Sequence, residues 1–155
     1  MRLIALCLIG YASGAAASCP DPTQDAPRFE ATGPDLIAPK SWPIEVAGER
    51  IAPCAQWVLQ GTAPVDLDGY LPVAPTAVFD LEGMGPHILM VMAEAQCAPI
   101  LAVRSADGLW HVGETANDRE EVVVWGAPDG PLQVWVGARE QTTCEGTVTL
   151  ETFDR

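Results

Sequence analysis

Leu132-Gln133-Val134-Trp135-Val136-Gly137-Ala138, followed by Thr147-Val148-Thr149-Leu150-Glu151, reads with a period of two. Val134 and Val136 alternate with Gln133 and Trp135; Val148 and Leu150 alternate with threonines and Glu151. Such alternation sends one set of side chains to each face of an extended strand, where a helical repeat would scatter them. Short apolar runs also fall at 44–47, 56–59, 77–82, 87–93, 100–104, 110–112 and 121–125, and the two opening runs extend over 132–138 and 147–153. Between them lie the turn-forming pairs Ala47-Gly48, Asp68-Gly69 and Asp107-Gly108, and the breakers Gly83-Met84-Gly85-Pro86 and Asp129-Gly130-Pro131. The run from His87 to Ala93 is apolar throughout, as expected of a strand near the centre of a sheet. No window offers an amphipathic helix. The pattern predicts an all-β chain: a single antiparallel β-sandwich of eight or nine short strands.

Toward the N-terminus the character changes. Residues 19–41 hold Pro20, Pro22, Pro27, Pro34 and Pro39 with few aliphatics, which predicts an extended arm ahead of a sandwich domain over 42–155. Residues 1–18 read as a secretory signal peptide: one positive charge at Arg2, the apolar run Leu3-Ile4-Ala5-Leu6-Cys7-Leu8-Ile9, and the small residues Ala15-Ala16-Ala17-Ser18. That run is too short for a transmembrane segment, because a helix crossing the hydrocarbon core needs about 20 apolar residues. The expected location is periplasmic or secreted. Cys7 leaves with the leader, so Cys19, Cys54, Cys97 and Cys144 remain, two disulfides' worth in an oxidising compartment. Four cysteines allow three pairings. Cys97 opens one strand and Cys144 precedes the last, while Cys19 and Cys54 bracket the arm, so the pairs Cys19–Cys54 and Cys97–Cys144 are preferred. Cys19 directly after Ala16-Ala17-Ser18 also admits a lipid-anchored alternative, which would leave one cysteine unpaired.

At 155 residues the chain is long enough for one domain with a sizeable core, and 48% hydrophobic residues is too many for a solvated coil. The formal net charge is −13, and losing Arg2 with the leader takes it to −14. Lys40 is the sole lysine. No basic patch can neutralise phosphates, so nucleic acid is a poor partner, and anionic membrane surfaces would repel the chain.

Residues that could carry chemistry are few. Beyond the leader the serines are Ser41 and Ser105, neither in a Gly-x-Ser-x-Gly elbow, and Ser105 lies in the turn sequence Arg104-Ser105-Ala106-Asp107-Gly108. His87 and His111 sit in or beside strands and carry no motif. His111-Val112-Gly113-Glu114 offers half a metal site where zinc needs three or four ligands. Asp66-Leu67-Asp68-Gly69 could open a calcium loop, but Tyr70-Leu71-Pro72 follows in place of acidic ligands. Glu114, Asp118, Glu120 and Glu121 form a second acidic stretch that turn propensity accounts for. No Cys-x-x-Cys suggests redox work. Of the five tryptophans, Trp42, Trp57, Trp110, Trp125 and Trp135, most are expected in the core; Trp110 and Trp125, beside turns, are the candidate ligand contacts.

Cys97-Ala98-Pro99-Ile100-Leu101-Ala102-Val103, Asp107-Gly108-Leu109-Trp110, Gly130-Pro131-Leu132-Gln133-Val134-Trp135-Val136-Gly137 and Cys144-Glu145-Gly146-Thr147-Val148-Thr149-Leu150 together resemble the bacterial pre-peptidase C-terminal domain. Cys19-Pro20, Leu36-Ile37-Ala38-Pro39-Lys40-Ser41-Trp42-Pro43 and Val46-Ala47-Gly48 extend the likeness to small secreted proteins made of one such domain. The resemblance implies a jelly-roll-like sandwich and no protease, since no protease domain accompanies it. Relatives often carry an Asp-Asp turn after the tryptophan, where this chain has His111 to Asp118, a departure that weakens a calcium reading. The expected function is therefore an exported non-catalytic protein, a protein-binding or accessory subunit of the bacterial envelope with no cofactor and no catalytic residues. The alternative is a carbohydrate- or calcium-binding module. A hydrolase ranks last.

Overall fold

A computed structural model describes residues 18–52, 54 and 67–154 of the chain. Among the described residues there are twelve strands: β1 (Arg28–Thr32), β2 (Lys40–Val46), β3 (Glu49–Arg50), β4 (Tyr70–Leu71), β5 (Ala77–Glu82), β6 (His87–Ala95), β7 (Pro99–Arg104), β8 (Trp110–Val112), β9 (Glu114–Ala116), β10 (Arg119–Trp125), β11 (Gly130–Ala138) and β12 (Cys144–Asp154). A single 3-10 turn spans Pro34–Ile37, with proline at its first position, where a missing N–H costs nothing.

The strands form two packed sheets. Five strands run in the order β2-β12-β6-β10-β9, all antiparallel. Seven strands make the other sheet around β11, which pairs β5 along Gly130–Val134 and β7 along Gln133–Ala138. β1 extends that sheet beyond β5, β8 beyond β7, and the short β4 and β3 continue it from the end of β11. At the β11–β4 crossing a side chain on Gly137 would collide with the Tyr70 carbonyl, so glycine is needed there.

Between the sheets lies one continuous core. The seven-stranded sheet contributes Phe79, Leu81, Leu101, Val103, Leu132, Val134 and Val136, and the five-stranded sheet answers with Leu89, Val91, Val122, Val124, Val148 and Leu150. Phe79 stacks on Phe29 of β1 at 5.5 Å and meets the edge of Trp42 of β2 at 4.7 Å, so aromatic rings close one side of the sandwich.

The sandwich is as the period of two predicts, with three differences. β1 runs parallel to β5, where an all-antiparallel arrangement was expected. The segment read as an extended arm supplies β1, the 3-10 turn and the start of β2, because residues 28–33 form a proline-free window in which Phe29 and Ala31 alternate inward. Four strands lie outside the sequence-derived set: β1, β3, β4 and β9. Three of these have two or three residues, too few for a period to show. The strand expected at 56–59 and residues 1–17 of the expected leader over 1–18, with Cys7, lie outside the described residues.

Candidate functional site

The two outer faces of the sandwich differ. That of the seven-stranded sheet is covered by the chain itself: Trp135, Ile100 and Ala102 point away from the main core into a second cluster with Cys54, Leu71 and Trp110. β7 and β11 are therefore buried on both sides. Trp135 is fully buried, donates its indole N–H to the Val73 carbonyl at 3.2 Å, and packs on Trp110 with ring centroids 4.7 Å apart. This corrects the expectation for Trp110. Its ring is 8% exposed and belongs to the second core, because the turn before it folds β8 against β7 rather than out to solvent.

Among the described residues no second layer covers the outer face of the five-stranded sheet. Trp125 is 76% exposed at the end of β10, in register with Ile88 of β6, which is in register with Phe153 of β12, itself 40% exposed. The next outward row is Val123 (41% exposed), Met90 and Glu151. Five apolar side chains thus share one end of the face. An exposed apolar patch of this kind commonly marks a contact surface. Further along, Arg119 forks onto Glu121 at 2.5 Å and reaches Glu94 at 3.8 Å. Ser41 and Thr149 share a hydroxyl–hydroxyl hydrogen bond of 2.7 Å. At the far end Glu45 stands directly opposite Glu145, a like-charge pair across strands, beside an open trough of about 780 Å³ that Glu94 also lines.

Trp125 was legible as a candidate; its companions were not. The run from His87 to Ala93 reads as uniformly apolar, yet Leu89, Val91 and Ala93 enter the core while Ile88, Met90 and Met92 take the outer side, the first two half-buried and Met92 buried. Counting the parity of β6 from its pairing with Trp125 would have identified them. Trp42 is in the aromatic cluster, and Trp57 lies outside the described residues.

Ser105, Asp107 and His111 do come together, at the hairpin joining β7 to β8. The Gly108 N–H donates to the Ser105 carbonyl and Gly108 takes φ +85°, the left-handed step that a three-residue hairpin loop requires. The Ser105 hydroxyl donates to Asp107 Oδ1 at 2.6 Å and lies 3.3 Å from His111 Nε2, with Ser105 1% exposed. A nucleophilic triad needs the carboxylate behind the imidazole and the hydroxyl facing substrate. Here the carboxylate takes the hydroxyl's proton direction and the oxygen is buried, so the group fastens the hairpin. Burial pushes the His111 pKa below its ordinary value, and Asp107 only partly offsets this. His87 is buried, with Nδ1 3.3 Å from Asp154 Oδ1.

The acidic stretches separate. Asp68 pairs with Arg50 at 3.2 Å, and Asp66 lies outside the described residues. Asn117 and Asp118, both with positive φ, form the two-residue turn between β9 and β10. Glu120 points inward, accepting from the Thr115 hydroxyl at 2.6 Å and from Arg139 at 3.3 Å. Glu121 holds Arg119. Among the described residues no group of three or more His, Cys, Asp or Glu is arranged to hold a metal ion.

Both disulfides are formed as preferred from the sequence, Cys19–Cys54 and Cys97–Cys144. The first ties residue 19 to the second core. Among the described residues no helix is long and apolar enough to cross a membrane.

The chain matches no protein-family model and no curated protein. Among solved structures it is similar to the pre-peptidase C-terminal domain of a collagenase from Bacillus anthracis, at 9% identity and a TM-score of 0.44, over 86% of this chain and 99% of that chain.

Proposed function

We propose that the protein is an exported, non-catalytic binding module, an accessory subunit of the bacterial envelope, and that the bare outer face of the five-stranded sheet is where it binds. The observation that carries this reading is the asymmetry of the two outer faces. The chain spends Trp110, Trp135 and a disulfide on covering one, and leaves Trp125, Ile88 and Phe153 in register on the other. The apolar leader and the even number of remaining cysteines support export. The committed hydroxyl of Ser105 supports a non-catalytic role.

Affinity capture of C-terminally tagged protein from native envelope, after mild cross-linking, tests it when run beside Trp125→Ala. A stoichiometric protein partner, lost with Trp125→Ala, is the expected result. A partner retained by that variant would move the binding surface elsewhere.

A second reading draws on the same indole. A flat, exposed tryptophan also stacks on sugar rings, so a carbohydrate ligand would occupy Trp125 without a protein partner. It requires that a glycan raise the melting temperature of the wild type and not of Trp125→Ala.

A further inference from the structure

We infer that the partner of the Trp125 face is a cationic polypeptide segment carrying apolar side chains, docked along the sheet from its aromatic end to its acidic end. This rests on the reading of that face as the binding surface and specifies what it binds. The face has two chemistries arranged along the strands. At one end Trp125, Ile88 and Phe153 offer an apolar row. Glu151 borders that row, Glu94 and Glu121 follow, and Glu45 and Glu145 lie beyond.

Among the described residues Arg119 stands against these five carboxylates, and its guanidinium already serves Glu121 and Glu94. Neither Glu45 nor Glu145 has a cationic partner among the described residues. Directly opposed like charges on neighbouring strands are unfavourable, and an incoming lysine or arginine would relieve them. The trough of about 780 Å³ beside the pair leaves room for such a side chain. A second copy of the chain would bring the same carboxylates against themselves, and an anionic membrane would be repelled by a chain of net charge −13. A neutral sugar would use the tryptophan and leave the carboxylates unanswered. Charge complementarity therefore favours a basic protein segment, with long-range attraction setting the rate of encounter and the indole row limiting escape.

Three labelled peptides of one length test this on the full chain by fluorescence anisotropy. One alternates lysine with leucine and tryptophan; the others replace lysine by glutamine or by glutamate. The lysine peptide is expected to bind at least about tenfold more tightly than the glutamine peptide at low salt, with the difference shrinking as salt is raised. Trp125→Ala is expected to weaken it by about tenfold or more. Glu45→Gln with Glu145→Gln is expected to weaken it several-fold and to flatten the salt dependence. The control is Glu30→Gln with Glu49→Gln, the same change in net charge placed on the seven-stranded sheet, expected to leave binding nearly unchanged.

If the control pair weakens binding as much as Glu45→Gln with Glu145→Gln, only net charge is being read and the inference fails. Equal binding of lysine and glutamine peptides, both lost with Trp125→Ala, would overturn the cationic partner and leave the face as the binding surface. Binding of the lysine peptide that Trp125→Ala does not touch would overturn both. A stable dimer in sedimentation, broken by Trp125→Ala, would replace the cationic partner by a second copy.

Discussion

Two tryptophans show how far single residues could be read. Both Trp110 and Trp125 stand beside turns, and sequence treats them alike. The structure separates them: β8 is folded onto β7, which delivers Trp110 to Trp135, whereas Trp125 ends β10 with most of its surface exposed. Exposure is a property of the sheet arrangement, which local sequence does not contain. His111 gives a prediction at this scale. Burial holds its folded pKa below the ordinary 6.5, so the folded state takes up a proton less readily than the unfolded chain. The stability this contributes is complete above about pH 6.5 and is lost as pH falls through the folded value. Melting temperatures measured between about pH 7 and pH 5 should fall, and His111→Gln should fall less steeply. Parallel slopes for the two proteins would count against the buried imidazole.

Among the elements, legibility follows length and the number of covered faces. β5, β7 and β11, each of six residues or more, were evident from apolar runs between turn signals. β3, β4 and β9 were not, because a two- or three-residue strand is fixed by its partner and not by its own pattern. β1 was hidden among prolines. β11 misleads in another way: Gln133 and Trp135 look like a solvent face, but a second layer of chain buries them. The β9–β10 hairpin depends on a group that sequence presents as one more surface acid. Glu120 is buried and receives Thr115 and Arg139. Glu120→Ala should cost about 1.5–3 kcal/mol in urea unfolding, because it removes hydrogen bonds that Thr115 and Arg139 make to a charged, buried acceptor. A loss below about 0.5 kcal/mol, the size of an ordinary surface change, would contradict that role.

At the scale of the whole molecule, the covalent framework was the most legible part. An even cysteine count and the positions of the four residues pointed to the two pairs that form. Each closes a loop of 35 or 47 residues, which chain entropy values at roughly 4 kcal/mol. The double variant Cys97→Ala, Cys144→Ala should therefore lose a few kcal/mol in denaturant unfolding, and an unchanged midpoint would show that the bridge adds nothing to the packed sheets. The proposed binding face was legible only as one tryptophan. Its other members come from β6 and β12, distant in sequence and brought into register by the sheet, and its bareness is evident only beside the covered opposite face.

That exposed face is the central claim, and a photo-activatable amino acid at position 123, beside an intact Trp125, tests it most directly. Irradiation in native envelope, with the same probe at position 49 as reference, should yield a discrete adduct with a single basic protein from position 123 alone. An adduct from position 49 and none from position 123 would place the contact on the seven-stranded sheet and contradict the account.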